Sequence, residues 1–280
     1  MIKLKVGIFL SLISFFSLNS NAQSIEFGLL FGASNYYGDL SNNTVMPSQT
    51  HLSGSVLGRY NIDERWAVKG FFGYGRISGA DSLGSSAYRK ARNLSFYSDV
   101  YEFSVQFELN LIKNTVYKRR LVPFIFAGIG VFNYNPKTKI HDSIIELQPL
   151  GTEGQGTTIY NNLQKYALTT VCIPIGFGLK KRVAEHVTVG IEAGVRITFT
   201  DYLDDVSGIY ADSRVVAASY GQMAGRLSDR SWEKSTDGTN VFREGDQRGF
   251  KSFKFSDIYF MGGFSVTYVF RNQAIKCPKF

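Results

Sequence analysis

One long stretch of the chain alternates without exception between apolar residues and residues that are polar or glycine. It covers residues 187–200, VTVGIEAGVRITFT. Because successive side chains of a β-strand point to opposite faces, such a strand has one wholly apolar face and one wholly polar face. A strand of a globular protein usually has about 5–6 residues, whereas a tilted strand that crosses a bilayer needs about 9–11. The stretch therefore predicts a membrane-crossing strand.

The same period of two residues recurs along the rest of the chain. It is clear at residues 25–33, 101–109 and 257–270, and weaker at residues 51–60, 66–77 and 167–179. Residues 121–132 are apolar on both faces and are assigned as a strand from their context. Together these segments make eight candidate strands. Single-chain bacterial outer-membrane barrels have an even number of strands, so the count agrees with that class.

The connections between the candidate strands alternate in length. The short ones are residues 61–65, 111–119 and 182–186, and the long ones are residues 35–50, 78–95, 133–166 and 201–255. Outer-membrane barrels have short periplasmic turns and long extracellular loops. If both termini lie in the periplasm, every short connection falls there and every long one falls outside. The sequence therefore predicts an all-β fold, a single closed antiparallel transmembrane β-barrel of eight strands.

The first residues have the pattern of an export signal. Lys3 and Lys5 precede an apolar segment at residues 6–18, and Ser20-Asn21-Ala22 fits the small-x-small rule for signal peptidase. We expect a signal peptide at residues 1–22, a barrel at 23–271 and a periplasmic tail at 272–280. Aromatic residues make up 15% of the chain, which suits the girdles at membrane interfaces. The expected location is the outer membrane.

The formal charge of +8 at pH 7 has to be read in that context. A basic chain can indicate nucleic-acid binding, but an exported barrel makes that interpretation poor. Basic loops that lie against outer-membrane lipid and anionic lipopolysaccharide explain the charge better. The two cysteines, Cys172 and Cys277, and the three histidines lack the spacing of metal ligands. We expect no cofactor, no metal and no small-molecule substrate.

The alternation also predicts which charged side chains face the lumen of the barrel. An eight-stranded barrel has room only for its own side chains or one small ligand, and buried charges are costly unless they are paired. Near-balance in sign therefore favours a filled lumen over an open pore. We expect Glu26 with Arg59, Lys69 with Glu108, and Arg196 with Glu102 or Glu192. The predicted lumen network is Glu26, Arg59, Lys69, Glu102, Glu108, Glu192 and Arg196.

Two groups of polar residues lie at the predicted extracellular rim. Asp201, Asp204 and Asp205 follow directly on the strand at residues 187–200. We interpret them as a structural cap that accepts hydrogen bonds from backbone amides, with calcium binding as the alternative because oxygen ligands suit that ion. His51, with Asp39 and Ser41, could meet at the same rim, as in barrel enzymes that act on lipid or peptide. The spacing does not require such a catalytic site, so we expect a non-enzymatic barrel.

Several segments together resemble the PorG-type outer-membrane barrels of Bacteroidota. They are GASNYYGDLS at 32–41, RNLSF at 92–96, ELN at 108–110, PLGTEGQG at 149–156, IPIGFGLK at 173–180 and DYLDDVSGIY at 201–210. The resemblance covers residues 25–270. It implies the barrel component of the type IX secretion system, a structural part that associates with a periplasmic ring of proteins and takes part in protein transport.

If this resemblance holds, the partner is met from the periplasm. The longest short turn and the tail supply the candidate contacts Lys113, Lys118, Arg119, Lys276, Cys277 and Phe280. The alternative is that these lysines only contact lipid headgroups. The main function hypothesis is thus a structural and anchoring component of the type IX secretion machinery. The alternatives are a rim enzyme acting on lipid or peptide and a porin-like barrel for small solutes.

Overall fold

The structure is a computed structural model that describes residues 24–41, 46–114, 120–140, 142–249 and 256–271. The predicted signal peptide at residues 1–22 and the predicted tail at residues 272–280 lie outside the described residues.

Eight long antiparallel strands form a closed barrel. Each strand pairs with its neighbours in the order β1-β2-β3-β4-β5-β8-β9-β10, and β10 pairs with β1 to close the wall. The wall strands are β1 (Ser24–Tyr37), β2 (His51–Asn61), β3 (Trp66–Ala80), β4 (Ser95–Asn110), β5 (Leu121–Tyr134), β8 (Thr169–Arg182), β9 (Val187–Thr198) and β10 (Ile258–Arg271). The predicted fold is confirmed.

The outer face of the wall is an apolar band. Large side chains that alternate outward remain exposed, among them Phe31 at 63%, Phe177 at 66% and Phe264 at 70%. Exposed apolar area on this scale needs a nonaqueous surrounding, and a closed barrel leaves no strand edge unpaired in lipid. The eight strands are therefore the membrane-spanning segments. Among the described helices, none is long and apolar enough to cross a bilayer.

The short connections are tight turns at one end of the barrel. In the first, the carboxylate of Asp63 accepts hydrogen bonds from the amides of Arg65 and Trp66, at 2.6 and 2.7 Å. The same turn is tied to the next one, because the amide of Asn114 donates to the carbonyl oxygen of Glu64 at 2.9 Å. Local hydrogen bonds of this kind fix the strand register at the periplasmic end.

The long connections are not simple loops. They contain a short hairpin, β6 (Lys137–Ile140) with β7 (Ser143–Glu146), and the helices α1 (Ala87–Arg92), α2 (Ser213–Tyr220) and α3 (Gln222–Ser228). The sequence did not predict these elements. The observed strands also extend beyond the predicted alternating runs. The run at residues 25–33 lies in β1, which continues to Tyr37, and the run at residues 101–109 lies in β4, which begins at Ser95. A polar residue at the end of an alternating run was taken for a loop, although tertiary contacts extend the strand.

These elements pack into a folded body over the extracellular end, which we call the cap: the described residues of 38–50, 81–94, 135–168 and 199–257. Its underside shares one apolar core with the upper barrel. The buried members of that core include Leu40, Ile77, Leu94, Phe96, Leu147, Leu203, Val206, Leu227 and Met261. The cap is therefore an integral part of the fold.

Candidate functional site

The lower lumen holds four charged side chains in one connected group. Arg59 donates to Glu26 at 2.7 Å and to Glu108 at 3.0 Å. The ammonium of Lys180 also contacts Glu108. Asn61 donates to Glu26 at 2.8 Å. All these side chains are buried, so each carboxylate has partners for its charge, as burial requires.

A second group of charges lies higher in the lumen. Lys69 reaches across to Glu192, with its ammonium 2.9 and 3.0 Å from the two carboxylate oxygens. Arg196 donates to Glu102 at 2.9 Å, and the hydroxyl of Tyr259 donates to the same carboxylate at 3.1 Å.

The structure brings all seven sequence-predicted lumen residues into the interior, but it pairs one of them differently. Lys69 contacts Glu192 rather than Glu108, because Glu192 on β9 faces β3 across the lumen while Arg59 and Lys180 occupy Glu108. Sequence reasoning missed Lys180. The signal was available, since it has the same parity in β8 as Cys172, which also points inward. Lys180 raises the number of these charged lumen residues from seven to eight, four carboxylates and four cations.

Aromatic rings fill the space between these charges. The ammonium of Lys69 lies 4.3 Å from the ring centre of Phe126, and that of Lys180 lies 4.9 Å from the ring centre of Phe124. A cation held over an aromatic face is stabilised by the ring quadrupole. The rings that point inward and are buried include Phe71, Phe124, Phe126, Phe132, Tyr134 and Tyr259. The described lumen is thus a packed core.

The three aspartates of the predicted rim cluster have separate roles within the cap. Asp205 is buried and accepts from the hydroxyls of Thr152 at 2.5 Å and Tyr166 at 2.6 Å. Burial raises the pKa of Asp205 to about 6, although the guanidinium of Arg248, 3.7 Å away, favours the charged form. Asp201 is half-buried and accepts from the hydroxyl of Ser207 at 2.8 Å.

Asp204 is the member that accepts from backbone amides, as the sequence suggested for the cluster. The amides of Leu40 and Val206 donate to it at 3.2 and 2.9 Å, and the hydroxyl of Tyr36 donates at 2.6 Å. Among the described residues, no group of three or more His, Cys, Asp or Glu side chains is placed to hold a metal ion. The calcium alternative thus has no support from the geometry of the described chain.

Sequence reasoning also missed the charged residues that hold the cap together. Arg248 is buried and donates to Glu153 at 3.0 Å and to the carbonyl oxygen of Asp205 at 2.7 Å. Arg92 is buried and forms a bidentate pair with Asp81, both distances being 2.7 Å. No sequence spacing could reveal Arg248 and Glu153, which are 95 residues apart.

His51, the histidine of the alternative rim-enzyme hypothesis, forms hydrogen-bond contacts with residues other than Asp39 and Ser41. Nε2 of His51 lies 2.7 Å from Oγ of Ser78, and Ser78 also donates to the side-chain oxygen of Gln49. The hydroxyl of Ser41 instead donates to the carbonyl oxygen of Gly38. The described hydrogen bonds of His51 and Ser41 therefore do not join these two residues, and they give the rim-enzyme alternative no support.

Comparison with known proteins gives a family. A family model described as "Domain of unknown function (DUF6089)" matches residues 5–232. The chain belongs to this family. No curated protein matches the chain. The description of the DUF6089 family assigns no activity, and nothing in the comparisons is specific to PorG or to type IX secretion.

Solved structures with a similar fold have very low sequence identity to this DUF6089 chain. The attachment invasion locus protein Ail of Yersinia pestis, in complex with the heparin analogue sucrose octasulfate, is 8% identical with a TM-score of 0.41, covering 89% of this chain and 99% of Ail. Neisserial surface protein A is 7% identical with a TM-score of 0.40, covering 89% and 97%. OprG of Pseudomonas aeruginosa is 6% identical with a TM-score of 0.37, covering 90% and 98%.

The periplasmic end carries exposed basic side chains. Of the predicted partner contacts, Lys113 is described and exposed, whereas Lys118, Arg119, Lys276, Cys277 and Phe280 lie outside the described residues. The structure adds further exposed cations at the same end of the barrel: Arg65, Arg120 and Lys181. The sequence had placed Arg120 beside the basic turn, at the start of the next strand, but had not singled out Arg65 or Lys181.

Proposed function

We propose that this chain is a non-conducting, non-enzymatic barrel of the outer membrane that anchors a protein-secretion assembly through its periplasmic end. The observation that carries the proposal is the closure of the barrel interior. Charged pairs and aromatic rings fill the described lumen, and the cap covers its extracellular end. In a barrel whose lumen is filled and covered, the outer surfaces are the parts that can bind a partner.

The periplasmic surface has the charge for a docking site. Arg65, Lys113, Arg120 and Lys181 are exposed there, against the acidic residues Asp63, Glu64 and Glu185. An acidic partner surface would be attracted, and such complementarity mainly sets encounter rate and specificity. The turns that carry Arg65 and Lys113 are hydrogen-bonded to each other, since the amide of Asn114 donates to the carbonyl oxygen of Glu64 at 2.9 Å. The two cations thus lie on connected turns.

The identity of the machinery rests on the resemblance to PorG-type barrels, which implies the type IX secretion system and its periplasmic ring. The outer-membrane location rests on the apolar band and on the leader at residues 1–22. Lipopolysaccharide and outer-membrane lipid surround the wall in this proposal. The porin-like alternative predicts ion conduction, and the rim-enzyme alternative predicts loss of activity when His51 is changed.

The docking surface is tested by charge reversal in the cell. Lys113 and Arg120 are changed together to glutamate, and residues 272–280 are deleted in a second variant. Lys90→Glu, an exposed change on the cap, is the matched control. We expect the first two variants to insert normally, to lose cross-linking to the periplasmic ring proteins, and to reduce secretion, whereas the control retains all three properties.

The proposal would be refuted if both periplasmic variants insert, cross-link to the ring and support secretion as well as the control does. A second measurement addresses the interior. The purified barrel in a planar bilayer should show no steady ion conductance, and a stable open conductance would favour the porin-like alternative instead.

A further inference from the structure

Two buried carboxyl groups meet at one hydroxyl where the cap joins the barrel. The hydroxyl of Tyr36, near the extracellular end of β1, lies 2.6 Å from Oδ2 of Asp204 and 3.3 Å from Oδ1 of Asp257. Tyr36 and Asp204 are 1% exposed and Asp257 is 4% exposed. The three groups come from the first wall strand, the start of the fourth extracellular loop and the end of that loop.

Each carboxyl group also holds a different piece of backbone. Asp204 accepts from the amide of Leu40 at 3.2 Å, which ties the first extracellular loop to the fourth. Asp257 accepts from the amide of Leu203 at 2.9 Å, which ties the end of the fourth loop to its beginning. The contact is tight, because a Cβ atom at Gly38 would lie 2.0 Å from Oδ1 of Asp257. The junction therefore ties the first and fourth extracellular loops to each other and to the first wall strand.

The number of protons on the two carboxyl groups and the hydroxyl decides which hydrogen bonds these three groups can form. A tyrosine hydroxyl has one proton to donate, and the shorter distance assigns it to Asp204. If Asp257 were also ionised, its Oδ1 would face the lone pairs of the tyrosine oxygen at 3.3 Å with no proton between them. If Asp257 is protonated, it donates to the tyrosine oxygen, which in turn donates to Asp204. The arrangement is complete only when the pair holds one shared proton.

No cation neutralises the pair directly, since neither Asp204 nor Asp257 forms an ion pair in the described chain. The titratable and charged groups around this pair of carboxyl groups come from each segment that packs against it. They are Asp39 of the first loop, Arg89 and Arg92 of the second, Asp201, Asp205, Arg230 and Arg248 of the fourth, and Tyr134 of the wall. Arg92 is engaged with Asp81 and Arg248 with Glu153.

We propose that Tyr36, Asp204 and Asp257 form a proton-binding latch that holds the cap closed, and that loss of the shared proton as pH rises loosens the cap. The proposal is independent of the secretion role, because it concerns the extracellular side of the barrel and a ligand, the proton, that needs no partner protein.

The direction of the pH effect follows from the two carboxyl groups. Burial raises the pKa of Asp204 well above its usual value, and the neighbouring charge of Asp39 adds to this. Burial likewise raises the pKa of Asp257, and the charge of Asp204 adds to it. A carboxyl group whose pKa is higher in the folded state stabilises that state at low pH, and this contribution is lost as pH rises through the folded pKa. The cap should accordingly be tightest in acid.

Hydrogen exchange on the full chain in detergent micelles tests the latch. After correction for the intrinsic pH dependence of exchange, amides of residues 36–41 and 201–207 should lose up to about tenfold protection for each pH unit as pH rises from the ordinary range of an aspartate towards the folded pKa, and protection should level off above it. Barrel amides of β3 and β4 should keep their protection. In Asp257→Asn the side-chain amide donates to Tyr36 at every pH, so the pH dependence should shrink to the part that Asp205 contributes below about pH 6. Asp237→Asn, at an exposed position of the cap, is the control and should behave like the wild type.

Two results would overturn the latch. One is a wild-type cap whose corrected protection does not change with pH, and the other is Asp257→Asn that retains the wild-type pH dependence. Infrared spectroscopy gives a direct second readout, which also decides the matter if Asp257→Asn fails to fold. In a pH titration the wild-type chain should show a protonated carboxyl absorption that persists above the range in which a free aspartate ionises and disappears at higher pH, and loss of this absorption within the free-aspartate range would contradict the shared proton.

Discussion

Replacing Lys180 by methionine tests whether charge balance in the lumen stabilises the barrel. Lys180 is 3% exposed, and its ammonium contacts Glu108. Methionine keeps most of the side-chain volume next to the ring of Phe124 but removes the charge. The lumen then holds four carboxylates and three cations, and Glu108 keeps only Arg59, at 3.0 Å. The perturbation thus removes one partner of a buried pair and leaves the other in place.

The expected magnitude comes from the cost of an uncompensated buried charge. Removing one partner of a buried ion pair destabilises a protein by about 3–5 kcal/mol. Because Glu108 retains one partner, we expect the low end, about 3 kcal/mol. Lys181→Met is the matched control, since Lys181 is the next residue and points outward into an exposed position. A surface change of this kind should cost less than about 0.5 kcal/mol.

A double variant separates charge balance from loss of packing. Glu108→Gln alone leaves Lys180 without its partner and should also be costly. Lys180→Met combined with Glu108→Gln restores equal numbers of carboxylates and cations. We expect the double variant to be more stable than the sum of the single effects implies by about 0.5–3 kcal/mol, the range for residues in one network.

The assay is urea unfolding of the barrel in lipid vesicles, followed by tryptophan fluorescence and by the gel mobility of folded and unfolded forms. The chain has two tryptophans, and Trp66 lies at the start of β3 in the wall. Strict additivity of the two single changes, or a Lys180→Met effect as small as that of Lys181→Met, would refute the account of the lumen as a balanced charge network.

Three further predictions concern other parts of the fold. Arg92→Met should make the cap cleavable by protease while the wall stays folded, because the buried bidentate pair is lost, and Lys90→Met should not; equal cleavage of both would contradict this. Gly263→Val should destabilise the closing seam by about 1–3 kcal/mol, because a Cβ atom there would lie 2.2 Å from the carbonyl oxygen of Phe31; unchanged urea unfolding would disprove it. Tyr268→Asp together with Phe270→Asp should block insertion, measured by heat-modifiable gel mobility, since both side chains face outward.

The wall of the barrel could be predicted from the sequence because its cause is local. A strand with a lipid side and a lumen side must alternate, so the parity of residues such as Glu192 and Arg196 assigns them inward without any knowledge of their neighbours. The same parity contained Lys180, which was overlooked because the predicted strand ended one residue too early. Strand ends are set by pairing with neighbours, as in β1, whose last residue Tyr37 pairs with Ile258.

Partners across the lumen and within the cap were decided by the tertiary structure. Lys69 and Glu192 are 123 residues apart, and they meet because the stagger of the closed wall places β9 opposite β3. The aspartates at residues 204 and 205 were visible in the sequence, but Tyr36 precedes Asp204 by 168 residues. Alternation reports only which face of a strand a residue occupies. Which residues share a depth and a side of the barrel depends on closure and on the packing of loops, neither of which has a local period.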